Sequence, residues 1–110
     1  MKTYPLLDNL TFRAQNPIAE PLSVDEQGRV LRFMLEPGQA IREHLVPSSP
    51  FYIVVLQGQG VFTGEDGVEQ TAGPQTLLAF APGEKHSVRA LDEALVFVGI
   101  LHGVPDKLYG

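Results

Sequence analysis

The 110 residues contain no cysteine. Disulfides, zinc–thiolate sites and a thiol nucleophile are excluded together. Secreted domains of this size often depend on disulfides, so the absence points to the cytoplasm. Long apolar runs are also missing. No stretch approaches the ~20 residues needed to cross a bilayer, and the opening MKTYPLLDNLTF lacks the apolar core of a signal peptide. Basic residues are few and scattered, 8 Lys and Arg against 13 Asp and Glu for a net charge of −5. That leaves no electrostatic footprint for nucleic acid. No paired carboxylates stand out for general acid–base work, no serine sits in a nucleophile elbow, and no glycine-rich loop precedes a helix. Uninterrupted helical sequence is scarcest of all. The 11 glycines and 9 prolines are spread through the whole chain, few windows of helical length escape them, and an all-β chain is predicted.

What is present fits one domain, residues 1–110, large enough to bury roughly 65% of its unfolded surface. Residues 1–20 read as an N-terminal arm, with one short strand at Leu10 to Ala14. Pro21 to Val24 is a further short strand. Arg29 to Glu36 alternates, with Leu31, Phe33 and Leu35 on one face and Arg32 and Glu36 on the other. Ala40 to Val46, Phe51 to Gln57, Val61 to Thr63, Val68 to Thr71, Gln75 to Phe80, His86 to Leu91 and Ala94 to His102 complete the strands. Asp66-Gly67 predicts a hairpin whose two central residues both take positive φ. The tail from Gly103 to Gly110 reads as an extension. Many short strands at close spacing, separated by turn signals, predict a sandwich or barrel. The predicted core comprises Leu31, Phe33, Leu35, Ile53, Val55, Leu78, Phe80, Val88, Val96 and Val98.

Two turns carry histidines. In the first, Gly38 is followed by five residues and His44, with Val46, Phe51 and Gly58 at fixed spacings beyond. In the second, Pro82-Gly83-Glu84-Lys85-His86 opens a strand. This glycine and histidine frame resembles the two motifs of the cupin family across about Arg29 to Leu101. The resemblance implies a jelly-roll β-barrel, or double-stranded β-helix, of two antiparallel sheets. It also implies a metal centre of three His and one Glu. Val46 stands where the second His belongs, Phe51 where the Glu belongs, and Ala90 replaces an Asn of the second motif. Of the implied ligands His44 and His86 remain.

These residues support two functional classes. In the preferred one the barrel is a binding module, holding a small organic molecule in a concave, mostly apolar pocket lined by His44, Val46, Phe51 and His86. In the alternative it is a metal-dependent enzyme of oxygenase or isomerase type, with a divalent transition metal (Zn, Fe, Mn, Ni or Cu) on a reduced histidine set. His102 would be the third imidazole: if Val96, Val98 and Ile100 face the core, His102 faces it too, unless Gly99 forms a bulge. The bland reading of His44 and His86 is a pair bonded to each other, to water or to a ligand. For His102 it is an exposed strand end, for Phe51 core packing, for Arg32, Arg42 and Glu43 a solvated face or dimer contact, and for Glu84 and Lys85 a solvated turn. The apolar arm, with Tyr4, Leu6, Leu7, Leu10 and Phe12, predicts a homodimer.

Overall fold

The structure, a computed structural model, describes residues 1–103; of the tail read as an extension, all but Gly103 lies outside the described residues. The described residues form nine strands and no helix: β1 (Ile18–Val24), β2 (Gly28–Leu35), β3 (Ala40–His44), β4 (Phe51–Gln57), β5 (Gly60–Thr63), β6 (Glu69–Ala72), β7 (Leu77–Phe80), β8 (His86–Ala90) and β9 (Leu95–His102). They make two antiparallel sheets, ordered β1-β2-β9-β4-β7 and β3-β8-β5-β6. This is the jelly-roll architecture. No helix among the described residues is long and apolar enough to cross a membrane.

The core lies between the two inner faces. Leu35 of β2, Phe51, Ile53 and Val55 of β4, and Leu95, Phe97 and Leu101 of β9 meet Phe62, Val88 and Ala90 from the other sheet, with Leu31 and Phe33 packed against them. Aromatic rings share the filling with these aliphatic side chains. Phe33 stacks on Phe97 with centroids 4.7 Å apart, and Phe62 meets the edge of Phe97 at 5.9 Å. Such pairs add to the area they bury.

Val96 and Val98 are buried, but on the opposite face of β9 from Leu95, Phe97 and Leu101. Both faces of β9 are covered, so its sequence is a continuous apolar run whose parity cannot be read from alternation. The N-terminal arm supplies the second cover. Arg32, opposite Val98 in register, is buried rather than solvated. Its Nη1 donates to the carbonyls of Leu6 (3.0 Å) and Asp8 (2.8 Å), and its Nε and Nη2 donate to Glu20 Oε1 (2.9 and 2.6 Å). The Thr11 amide meets Met34 Sδ at 3.4 Å. These contacts hold the arm across the outer face, and Asn9 takes a left-handed φ of 54°. The strand predicted at Leu10 to Ala14 does not form: this segment is irregular, and the first strand starts at Ile18. The β5–β6 connection also differs from the predicted hairpin. Of Asp66 and Gly67, only Gly67 has positive φ, and Asp66 Oδ1 instead accepts the Val68 amide at 2.9 Å.

Candidate functional site at the barrel mouth

His44 ends β3, His86 begins β8, and the two are register partners. Alternation alone would not pair them. Ile41 faces the core opposite Val88, and two steps along a regular strand would bring Glu43 opposite His86. The register shifts between Ile41 and His44. This one-residue bulge turns His44 inward and leaves Glu43 exposed. The Nε2 atoms of His44 and His86 then lie 3.0 Å apart, with ring centroids at 4.2 Å.

His86 is 4% exposed, while His44 stands open at the rim. The buried ring lies against Phe51 and Phe80, with both centroids at 4.8 Å. Phe51 therefore both packs the core and walls the histidine. Gly99 makes this possible. A Cβ there would fall 2.5 Å from Phe51 Cε1 and 3.0 Å from Phe33 Cε2. The glycine anticipated as a bulge is instead a gap for a ring, and the β2–β9 register runs past it without a shift.

Each imidazole is anchored through Nδ1. His86 Nδ1–H donates to the Glu84 carbonyl and His44 Nδ1–H to the Arg42 carbonyl, both at 3.1 Å. Carbonyls only accept, so the two Nε2 atoms are left to share one proton. Rings that hold three protons between them carry one positive charge. Burial first, then the neighbouring His44, lower the His86 pKa from 6.5 to about 4; the bond to the Glu84 carbonyl and the Glu84 charge oppose this without prevailing. Burial thus disfavours the charge on His86. When the pair is neutral one of its three contacts must loosen, and the surface ring is the one free to turn.

The Glu84 side chain is occupied elsewhere. Its Oε1 accepts the Ala81 amide at 2.9 Å and its Oε2 the Glu65 amide at 3.3 Å, tying together two turns. Val46 is half-buried, packs against the core, and uses its carbonyl to accept the Gly83 amide at 2.8 Å.

His102 is not brought to this site. It shares the outer face of β9 with Val96 and Val98, is exposed, and lies 5.9 Å from the Tyr52 ring. Its backbone amide, not its ring, makes the buried bond, donating to Ser49 Oγ at 2.7 Å. The premise that Val96, Val98 and Ile100 face the inner core fails, and His102 turns outward with them. Both Nδ1 atoms of the pair are held as they commonly are in metal ligands. The donor set is nevertheless short. Zinc sites take at least three protein ligands, Val46 and Phe51 present carbon where the resemblance implies donors, and no group of three or more His, Cys, Asp or Glu side chains gathers among the described residues. The residues present do not fit a resident metal.

The interior differs from the concave pocket predicted between the sheets. The space bounded by His44, His86, Phe33, Phe51, Phe80 and Phe97 is about 10 Å³, room for one water at most. A groove of about 430 Å³ opens beside it between β1 and β3, and Phe33 and Ile41 wall both spaces. One polar residue escaped the sequence reading. Arg29 continues the inner-face series of Leu31, Phe33 and Leu35, and its register partner Leu101 belongs to the core. Carrying the β2 alternation two residues back would have found it.

The cupin domain family model matches residues 31–101. The chain belongs to the cupin family. No curated protein matches the sequence. Among solved structures, this cupin is similar to an uncharacterized conserved protein with a double-stranded β-helix domain from Klebsiella pneumoniae, at 18% identity, TM-score 0.88, covering 96% of this chain and 88% of that one. It is also similar to an RmlC-like cupin protein from Desulfovibrio desulfuricans, at 29% identity, TM-score 0.82, covering 91% and 95%. KdgF from Halomonas sp. shares 13% identity at a TM-score of 0.77 over 86% of each chain, a likeness of fold.

Proposed function

We propose that this cupin is a binding protein for a small organic molecule, taken at the barrel mouth by the His44–His86 pair. The observation that supports this reading is the pair itself: one exposed and one buried imidazole, 3.0 Å apart, each held in orientation by a backbone carbonyl. Such a pair donates or accepts at the rim according to its proton count, and the Phe51 and Phe80 rings give it an apolar backing. With the interior filled, the ligand sits over His44 and along the adjoining groove rather than between the sheets. The groove is of the size that small-molecule sites occupy. Titrating a panel of small organic molecules while following the imidazole resonances tests this. Binders shift both His44 and His86, and His44→Ala removes their binding; a panel that leaves both rings unmoved rejects the reading.

The alternative, a metal-dependent oxygenase or isomerase, has the anchored Nδ1 atoms in its favour and the donor count against it. A cysteine-free fold suits the cytoplasm, which is the proposed setting. The proposed assembly is a homodimer. Its support is the arm's exposed Tyr4 and Leu7, which border an apolar groove of about 560 Å³ over Val54 and Leu56.

A further inference from the structure

We infer that Arg29 is the anion-binding group of the mouth, and that the ligand class is a small organic acid whose carboxylate it takes. This rests on the small-molecule reading above and narrows it. Arg29, Leu101, Phe51 and Phe80 stand in one row across the five-stranded sheet, at successive register partners. Phe51 and Phe80 are the rings that back His86, so Arg29 shares the level of the histidine pair. Its Cα stands two strand spacings, roughly 10 Å, from that of Phe51. On the side of β1 its register partner is Val24, which is 55% exposed, so the row is open to solvent at the arginine end.

The guanidinium is incompletely partnered. Arg29 Nε is buried and has no hydrogen-bond partner among the described residues. Among the described residues the only salt bridge joins Arg32 to Glu20. A buried donor without an acceptor is costly and calls for a ligand or water. The two arginines of β2 make the contrast plain. Arg32, on the outer face, has its Nε, Nη1 and Nη2 bonded by the arm and Glu20, whereas Arg29, on the inner face, keeps its Nε–H side unused. The parallel N–H groups of that side match the two oxygens of a carboxylate. A water would take one of these bonds and leave the charge unopposed; a carboxylate takes both and neutralises it. The positive charge that the histidine pair holds when protonated favours the same sign of ligand. Leu101 and Phe51 fill the row itself, so the acid, a short-chain or single-ring one, lies over the rim with its carboxylate at Arg29 and its body towards His44.

The test pairs acids with their amides: acetate, butyrate and benzoate against acetamide, butyramide and benzamide. Calorimetry gives affinity, while the Arg29 Nε–H and imidazole resonances give location. In wild type at least one acid should bind about tenfold or more tighter than its amide, with a shift at Arg29 Nε–H. Arg29→Gln should bring that acid down to its amide's affinity. Arg29→Lys, which keeps the charge without the fork, should fall between and guards against a folding defect in the glutamine variant. If acids and amides bind alike, or Arg29→Gln leaves acid affinity unchanged while the imidazoles still shift, Arg29 is not the anchor and the small-molecule reading stands. An Arg29 Nε–H that ignores every acid, in a protein whose imidazoles also ignore every compound, overturns both.

Discussion

The buried half of the histidine pair sets a pH dependence. His86 titrates near 6.5 when unfolded and at about 4 in the barrel. Between those values the unfolded chain binds a proton that the native chain refuses. The stabilisation is complete above 6.5 and is lost as pH falls towards 4. Solvent at the rim screens part of it, leaving about 1–2 kcal/mol. Urea unfolding midpoints at pH 7 and pH 4.5 should show the loss in wild type and a smaller one in His86→Phe. Removing His44 takes away a like-charge neighbour and exposes His86, so in His44→Ala the His86 midpoint moves up. An NMR titration in which it moves down would contradict the account of the pair. Gly99 is the other residue with a sharp consequence. In Gly99→Ala the new methyl meets the Phe51 ring, which is walled by Phe33 and cannot retreat freely. Overpacking of this kind costs about 1–3 kcal/mol, readable as a lower urea midpoint with unchanged slope, and it should also disturb the His86 resonance through Phe51.

At the scale of elements, Arg32 decides where the arm lies. Arg32→Met keeps the apolar stem and deletes the bonds to Leu6, Asp8 and Glu20, at about 2–3 kcal/mol. Limited proteolysis should then cut within the first dozen residues while the barrel survives; an arm equally protected in wild type and variant would show that its apolar side chains hold it unaided. Sequence and structure agree where one face of a strand is wet and disagree where neither is. The strand from Phe51 to Gln57 has the same bounds in both, and the Leu31, Phe33, Leu35 series lies on the inner face as its alternation implies. On β9 alternation is silent, because the arm dries the outer face, and the parity assigned to Val96, Val98 and His102 came out inverted. The arm was visible as apolar sequence, but its binding partner is a single arginine inside a strand, and nothing local distinguishes that arginine from a solvated one. The inward turn of His44 was implied by the family frame. Its physical cause, a bulge after Ile41, has no glycine to mark it.

For the whole molecule, the proposed dimer gives a direct measurement. Light scattering at micromolar concentration should return about twice the 12.0 kDa chain mass, and Leu7→Asp, at the edge of the groove over Val54 and Leu56, should return the monomer; a wild-type monomer rejects the assembly. Metal analysis of protein purified without a metal-affinity tag should find well under one equivalent, as two imidazoles imply. The strand order has a further consequence. β9 is the last strand of the described chain, yet it lies third in its sheet, between β2 and β4. Until it inserts, the five-stranded layer is two separate pieces, β1-β2 and β4-β7, each presenting a bare edge. On a ribosome, neither piece can be joined while residues 95–102 are still inside the exit tunnel. Closure therefore waits for residues 95–102 to emerge, and a nascent chain stalled before that point exposes two unpaired strand edges to whatever chaperone waits at the tunnel mouth.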